Sequence, residues 1–204
     1  MSLEQFIDLC SSGKLVEAKK FLKENPTIDI SSGHNRSFRL ACQEGHAQWL
    51  YQINPDMDIY ANNEEAFRRA SQNGHLDIAK WLLKIKPAID ISADDEYAFR
   101  LACRNGHLEV AKWLLEVKPD IDISVFDEQA FRGACDNKHL EVAKWLLEVK
   151  PTIDISVFDH RAFRLACTYS NNSFEIAKWL QSLNPEKYVI ETKDNKVVYF
   201  EVNE

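Results

Sequence analysis

A repeat constrains this chain more than any other feature. Residues 98–129 read AFRLACRNGHLEVAKWLLEVKPDIDISVFDEQ. The next 32 read AFRGACDNKHLEVAKWLLEVKPTIDISVFDHR, and the 32 before read AFRRASQNGHLDIAKWLLKIKPAIDISADDEY. Pro87, Pro119 and Pro151 mark the period. Self-similarity at roughly 20–50 residues is the mark of stacked supersecondary units, none of which can bury its own apolar face. Weaker copies flank these three. Residues 37–65 keep SFRLACQEGH, but only nine positions separate His46 from Pro55, where His107 and Pro119 are twelve apart. Residues 162–185 keep AFRLAC and EIAKWL around Asn171-Asn172-Ser173, and the N-terminal FIDLCSSGKLVEAKKFLKENPTIDIS is a sixth copy with Lys20 in the Trp position. The units fall at about 5–36, 37–65, 66–97, 98–129, 130–161 and 162–187.

Each unit reads as two short helices. Ala130, Phe131, Ala134 and Cys135 form one apolar stripe, and Leu108, Val110, Ala111, Leu114 and Leu115 form a second, ended by Lys118-Pro119. Asn105-Gly106 fits the left-handed turn between them. The second helix of residues 37–65 should be short by just under one turn. Asn63, Asp95, Asp127 and Asp159 stand where N-caps are needed, and Glu64–Arg68, Glu96–Arg100 and Glu128–Arg132 are i,i+4 pairs. On this reading Arg39, Arg68, Arg100, Arg132 and Arg164 form a structural ladder. Lys138 replaces the turn glycine and should be strained. The last residues leave the helical period. Tyr188–Thr192 and Val197–Val202 flank Lys193-Asp194-Asn195-Lys196 as a β-hairpin, expected to cap the last unit.

This wording, with GHLEVAKWLL and the Ala102-Cys103 type of pair, resembles the ankyrin repeat over essentially residues 5–185, most closely in the style encoded by giant DNA viruses of amoebae. One departure is plain: the usual Thr-Pro-Leu-His opening is replaced by Tyr97-Ala98-Phe99-Arg100 and its equivalents. The resemblance implies an all-α repeat solenoid, a non-catalytic role, and a concave surface of turn tips and first helices that binds protein.

The residues themselves offer little chemistry. Cys10, Cys42, Cys103, Cys135 and Cys167 share one repeat position, as core residues do. Equivalent residues on stacked helices lie about 8–10 Å apart, beyond the roughly 7 Å that a disulfide tolerates. The C-x3-H pairs, such as Cys103–His107, recur once per unit and do not converge as four zinc ligands must. His in that row is expected to bond turn backbone between neighbours. The row Trp49, Trp81, Trp113, Trp145 and Trp179 reads as core and not as a base-stacking platform. No phosphate loop or nucleophile motif is present, and the glycosylation triplets at Asn35 and Asn171 are expected to be silent. The net charge of −7 argues against phosphate-driven nucleic-acid binding. No run of 18 apolar residues suggests a membrane span, and the first residues do not read as a signal peptide.

In a repeat array, function lives where copies differ. Val125-Phe126 and Val157-Phe158 put apolar pairs on turns otherwise made of Asp, Asn and Ser. They either meet a partner or pack on the neighbouring turn. The expected contact set is Tyr60, Arg69, Tyr97, Arg104, Phe126, Asp136, Phe158 and Tyr169. The sequence thus points to one ankyrin domain over residues 1–187 with a hairpin at 188–204. It is expected to be a monomeric, cytoplasmic protein-binding module, in a host cell if viral, with no cofactor, metal, nucleic acid or membrane partner. Two other roles stay open: an inhibitor or accessory subunit that blocks a partner enzyme, and a structural repeat protein with no fixed partner.

Overall fold

The computed structural model describes residues 2–168, 174–194 and 196–203. The fold class is an all-α repeat of the solenoid type, ending in a two-stranded antiparallel hairpin. Six helix pairs follow the sequence copies: α1 Leu3–Ser11 with α2 Leu15–Glu24, α3 Ser32–Gln43 with α4 Gln48–Ile53, α5 Ala61–Gln72 with α6 Leu76–Ile85, α7 Ala93–Arg104 with α8 Leu108–Val117, α9 Val125–Asp136 with α10 Leu140–Val149, and α11 Val157–Thr168 with α12 Phe174–Leu183. The strands are β1 Tyr188–Lys193 and β2 Lys196–Val202. The second helices have ten residues except α4, which has six, so the shortened unit is where the spacing placed it. The chain divides into two compact units: residues 1–102 with 109–121, and residues 103–108 with 122–204.

In the first unit, α1 packs on α3 and α3 on α5. Phe6, Phe38, Phe67 and Phe99 are fully buried. Each of the first three meets the Trp of the following copy at 6.3–6.4 Å between ring centroids: Phe6 with Trp49, Phe38 with Trp81 and Phe67 with Trp113. Aromatic area is therefore spent between copies, where stacking must be specified. Lys19 lies over Trp49 and Lys80 over Trp113, so one edge of the row is lidded by cations. In the second unit, Phe131 meets Trp179 in the same way at 6.2 Å. There α9 packs on α10 and α11, and the hairpin lies against α11 and α12. Tyr188 is fully buried, stacks on Phe163 at 4.3 Å, and its hydroxyl meets His160 Nδ1 at 2.9 Å.

The start of each first helix differs from the N-cap reading. Three consecutive residues have left-handed backbone in every copy from α3 onward: Gly33–Asn35, Asn62–Glu64, Asp94–Glu96, Phe126–Glu128 and Phe158–His160, with φ between 53° and 63°. Asn63, Asp95, Asp127 and Asp159 sit inside this turn and do not cap the helix. Each turn is closed by an i→i+4 backbone bond, such as Glu96 N to Ser92 O at 3.0 Å and His160 N to Ser156 O at 2.9 Å. Left-handed backbone costs an L-residue about 1–2 kcal/mol. The arginine ladder answers that cost. Arg100 donates from Nε to Asp95 O at 2.7 Å and from Nη2 to Asp94 O at 2.9 Å. Arg39, Arg68 and Arg132 fork onto the same two carbonyls of their own turns, and Arg164 keeps the Nε bond to Asp159 O. The feature common to the copies is this fork onto backbone. Arg68 also pairs with Asp94 of the next copy at 2.8 Å.

The acidic step before each turn has its own task. Asp29, Asp58, Asp90, Asp122 and Asp154 each accept the backbone N–H two residues on, at 2.8–3.0 Å. These Asx-turns reverse the chain ahead of the left-handed segment. Lys138 does adopt positive φ, 70°. At Gly106 a Cβ would stand 2.3 Å from His139 Nδ1, and at Gly45 2.6 Å from His75 Nδ1, so those positions exclude a side chain as well as favouring the conformation.

Candidate functional site

The cysteines and the histidine row are structural. All five cysteines are buried free thiols, and burial raises their pKa, to about 12 at Cys10 and Cys167. His75 Nε2 donates to the Gln43 carbonyl of the preceding copy at 2.8 Å, the inter-copy bond expected of that row. Among the described residues, no group of three His, Cys, Asp or Glu is placed to hold a metal ion. No helix among them is long and apolar enough to cross a membrane.

The expected contact residues of the first unit separate into two places. Arg69 and Tyr97 line one polar groove of about 320 Å³ with Glu65, Arg68 and Gln72. Tyr97 is held between cations, 4.8 Å from Arg68 and 5.5 Å from Arg100. Arg69 is engaged internally: Nε donates to Glu65 Oε1 at 2.6 Å and Nη1 donates to Gln43. Glu65 in turn accepts from Arg39 and, at 3.0 Å, from Asn62. Tyr60 lies away from this groove, beside Lys86 at 6.0 Å, and opens the left-handed turn that follows it.

In the second unit, Arg104 and Asp136 line a smaller pocket of about 170 Å³ with Gln129, Arg132, Gly133 and Arg161. Asp136 Oδ2 meets Arg161 Nε at 3.5 Å, while Oδ1 is buried without a hydrogen-bond partner among the described residues. Burial raises the Asp136 pKa, against the opposing pull of Arg161, Arg132 and Arg104. Phe126 and Phe158 stand on the turn tips, 54% and 58% exposed. Arg132 joins tips and pocket. Its Nη2 holds the Phe126 carbonyl at 2.8 Å, and its guanidinium lies 4.3 Å over the Phe158 ring. Phe158 is thus in contact with the preceding turn and more than half open to solvent. Tyr169 and the Asn171 triplet lie outside the described residues. The contact set missed Gln129, Arg132 and Arg161. Positions 129 and 161 align with Tyr97, and position alone would have found them.

The first unit also holds an apolar groove of about 660 Å³ beside the short α4, lined by Leu22, Pro26, Ile28, Trp49 and Ile53 with Lys19 and Lys23 among its edges.

A family model described as Ankyrin repeats (3 copies) matches residues 38–127. No curated protein matches the chain. The matched segment spans the SFRLAC, AFRRAS and AFRLAC copies, and the helix pairs continue on both sides of it. Such repeats are in general protein–protein interaction modules and typically non-catalytic. Over residues 38–127 the chain is similar to ankyrin repeats.

Proposed function

We propose that the chain is a non-catalytic module that binds a protein partner through its turn tips and first helices. Phe126 and Phe158 carry the reading. Both are bulky aromatics in left-handed backbone, where Gly, Asn or Asp is the cheaper choice and where the equivalent positions have Gly33, Asn62 and Asp94. Both are more than half exposed on a rim of Asp, Glu and Arg. Neither conformational preference nor burial accounts for them, whereas an interface with an apolar centre and a polar rim does. Tyr60, Tyr97, Arg104 and Asp136 belong to the same surfaces in their units. The resemblance to repeats of amoebal giant viruses favours a host-cell protein, met in the cytoplasm, as the partner.

The test is affinity capture from amoebal cytosol with the parent chain and a Phe126→Asp, Phe158→Asp double variant. The variant should keep its helical circular dichroism and melting curve and lose the proteins that the parent retains. Identical capture profiles would overturn the proposal.

A further inference from the structure

The pocket around Asp136 has a counterpart at the same repeat positions in the other unit, and the two differ in an informative way. In the first unit the position is occupied. The Arg69 guanidinium lies between the Glu65 carboxylate and the Gln43 amide, a planar cation supplied with acceptors by its own chain. In the second unit, Gly133 takes the place of Arg69, Gln129 that of Glu65, and Arg104 that of Gln43. The cation has gone, its carboxylate has become neutral, and a new cation stands where the amide was. Three of the remaining copies fill the Gly133 position with Leu40, Leu101 and Leu165, and the first has Asp8.

Glycine is not there for its backbone. Gly133 lies inside α9 with no positive φ, and a helix-interior glycine costs about 1 kcal/mol relative to alanine. What it provides is room: a Cβ at 133 would stand 3.0 Å from Arg104 Cβ. The result is a pocket of about 170 Å³ with three arginines and one aspartate on its walls. Arg132 has two guanidinium nitrogens committed to the turn carbonyls of Phe126 and Asp127, which fixes the group at the pocket edge. Arg161 is half exposed and reaches Asp136 only at 3.5 Å. Asp136 offsets one positive charge of three and keeps a buried oxygen that no described donor satisfies.

We propose that this pocket receives the carboxylate of an Asp or Glu side chain on an extended segment of the partner protein. The proposal rests on the protein-binding reading above and supplies the partner's chemistry. Arginine forks suit a planar carboxylate, which can take two parallel N–H bonds from one guanidinium. The pocket holds roughly five waters' share of liquid, enough for a carboxylate and its short stem.

The test uses the full ¹⁵N-labelled chain and three probes: the peptide acetyl-Ala-Glu-Glu-Ala-amide, its Gln-for-Glu analogue, and inorganic phosphate. The acidic peptide should shift the Gly133 amide and the Nε–H signals of Arg104, Arg132 and Arg161 in a saturable way. The Gln analogue and phosphate should bind at least tenfold more weakly. Gly133→Leu, which restores the residue of three other copies, and Arg161→Gln, on a half-exposed side chain, should each weaken the acidic peptide about tenfold, equivalent to about 1.4 kcal/mol. Their amide spectra report folding independently. Absence of peptide shifts at Gly133, or phosphate binding as tightly as the peptide, would overturn the pocket. The Phe126→Asp, Phe158→Asp chain separates the two readings. Capture that survives Gly133→Leu but fails in the Phe variant overturns the pocket and leaves the surface. Peptide binding at the pocket without any captured partner supports the pocket and removes the surface.

Discussion

The arginine fork is the residue on which each copy turns. It satisfies two carbonyls of a left-handed segment that would otherwise be disfavoured at three successive positions. Arg100 is the most buried rung described, so Arg100→Lys keeps the charge and loses the fork. It should cost about 2 kcal/mol in urea denaturation, within the usual range for hydrogen bonds to charged groups. Arg164→Lys, on an exposed side chain with one such carbonyl bond, should cost visibly less. Beside the fork sits a buried acid. Glu64 accepts the Asp90 backbone N–H, yet burial raises its pKa above the ordinary carboxylate value. The folded state therefore holds this proton more tightly than the unfolded state does. The group's contribution to stability is full below the ordinary value and lost as pH rises through the raised one. Glu64→Gln keeps an acceptor and removes the charge. It should be more stable than the parent at pH 7, and the gap should close as pH falls below the ordinary carboxylate range. A gap that does not change with pH would assign the effect to packing. The sequence showed the Arg row and its acidic neighbours but not their geometry. Helical spacing made Glu64 and Arg68 a pair, whereas the chain winds left-handed at Glu64, and no propensity scale favours Glu64, Glu96, Phe126 or Phe158 there. Gly33, the Asn62-Asn63 pair and the Asp94-Asp95 pair hint at it.

Elements were far more legible, because counting residues between His and Pro measures helix length directly. The six-residue α4 follows from that count, and an apolar groove lies beside its Trp49 and Ile53. A helix of under two turns with few interior bonds should open readily. Amide exchange over residues 44–63 should be faster than over α5 and α6; uniform protection would contradict this. The hairpin was legible from its period-two pattern, and so was its place on the last copy, but the residue that anchors it was not. Tyr188 does the anchoring, stacked on Phe163 and bonded to His160, with Phe200 edge-on to Phe163 at 6.2 Å. Two strands alone are marginal in water, so stability must come from that contact. Tyr188→Ala should cost about 3 kcal/mol and Tyr188→Phe about 1 kcal/mol by thermal or urea unfolding. If deleting residues 187–204 leaves the melting temperature unchanged, the hairpin is a docking strand and not a cap.

At the scale of the molecule, repetition itself supplies a set of reporters. One cysteine per copy, in five of six copies, stands in the same core position, with Ser71 in the remaining one. The thiolate is the reactive form, and burial holds these thiols protonated, with pKa pushed to about 12 at the two outermost and higher still between them. A native thiol can therefore be alkylated only when its copy opens. Stacked repeats have nearest-neighbour stability, so copies near the chain ends should open more often than central ones. Maleimide labelling at pH 8, read by peptide mass spectrometry, should modify Cys10 and Cys167 first. Cys103 and Cys135 should be last, and Cys42, whose helix pair includes the short α4, should fall between. Five equal rates would mean that labelling waits for unfolding of the whole chain. That outcome would make the copies one cooperative body, in which a partner gripping the Phe126 and Phe158 turns would protect Cys10 as strongly as Cys135. Graded rates would instead confine protection by a partner to the copies it touches, and the same cysteines would then map where it binds.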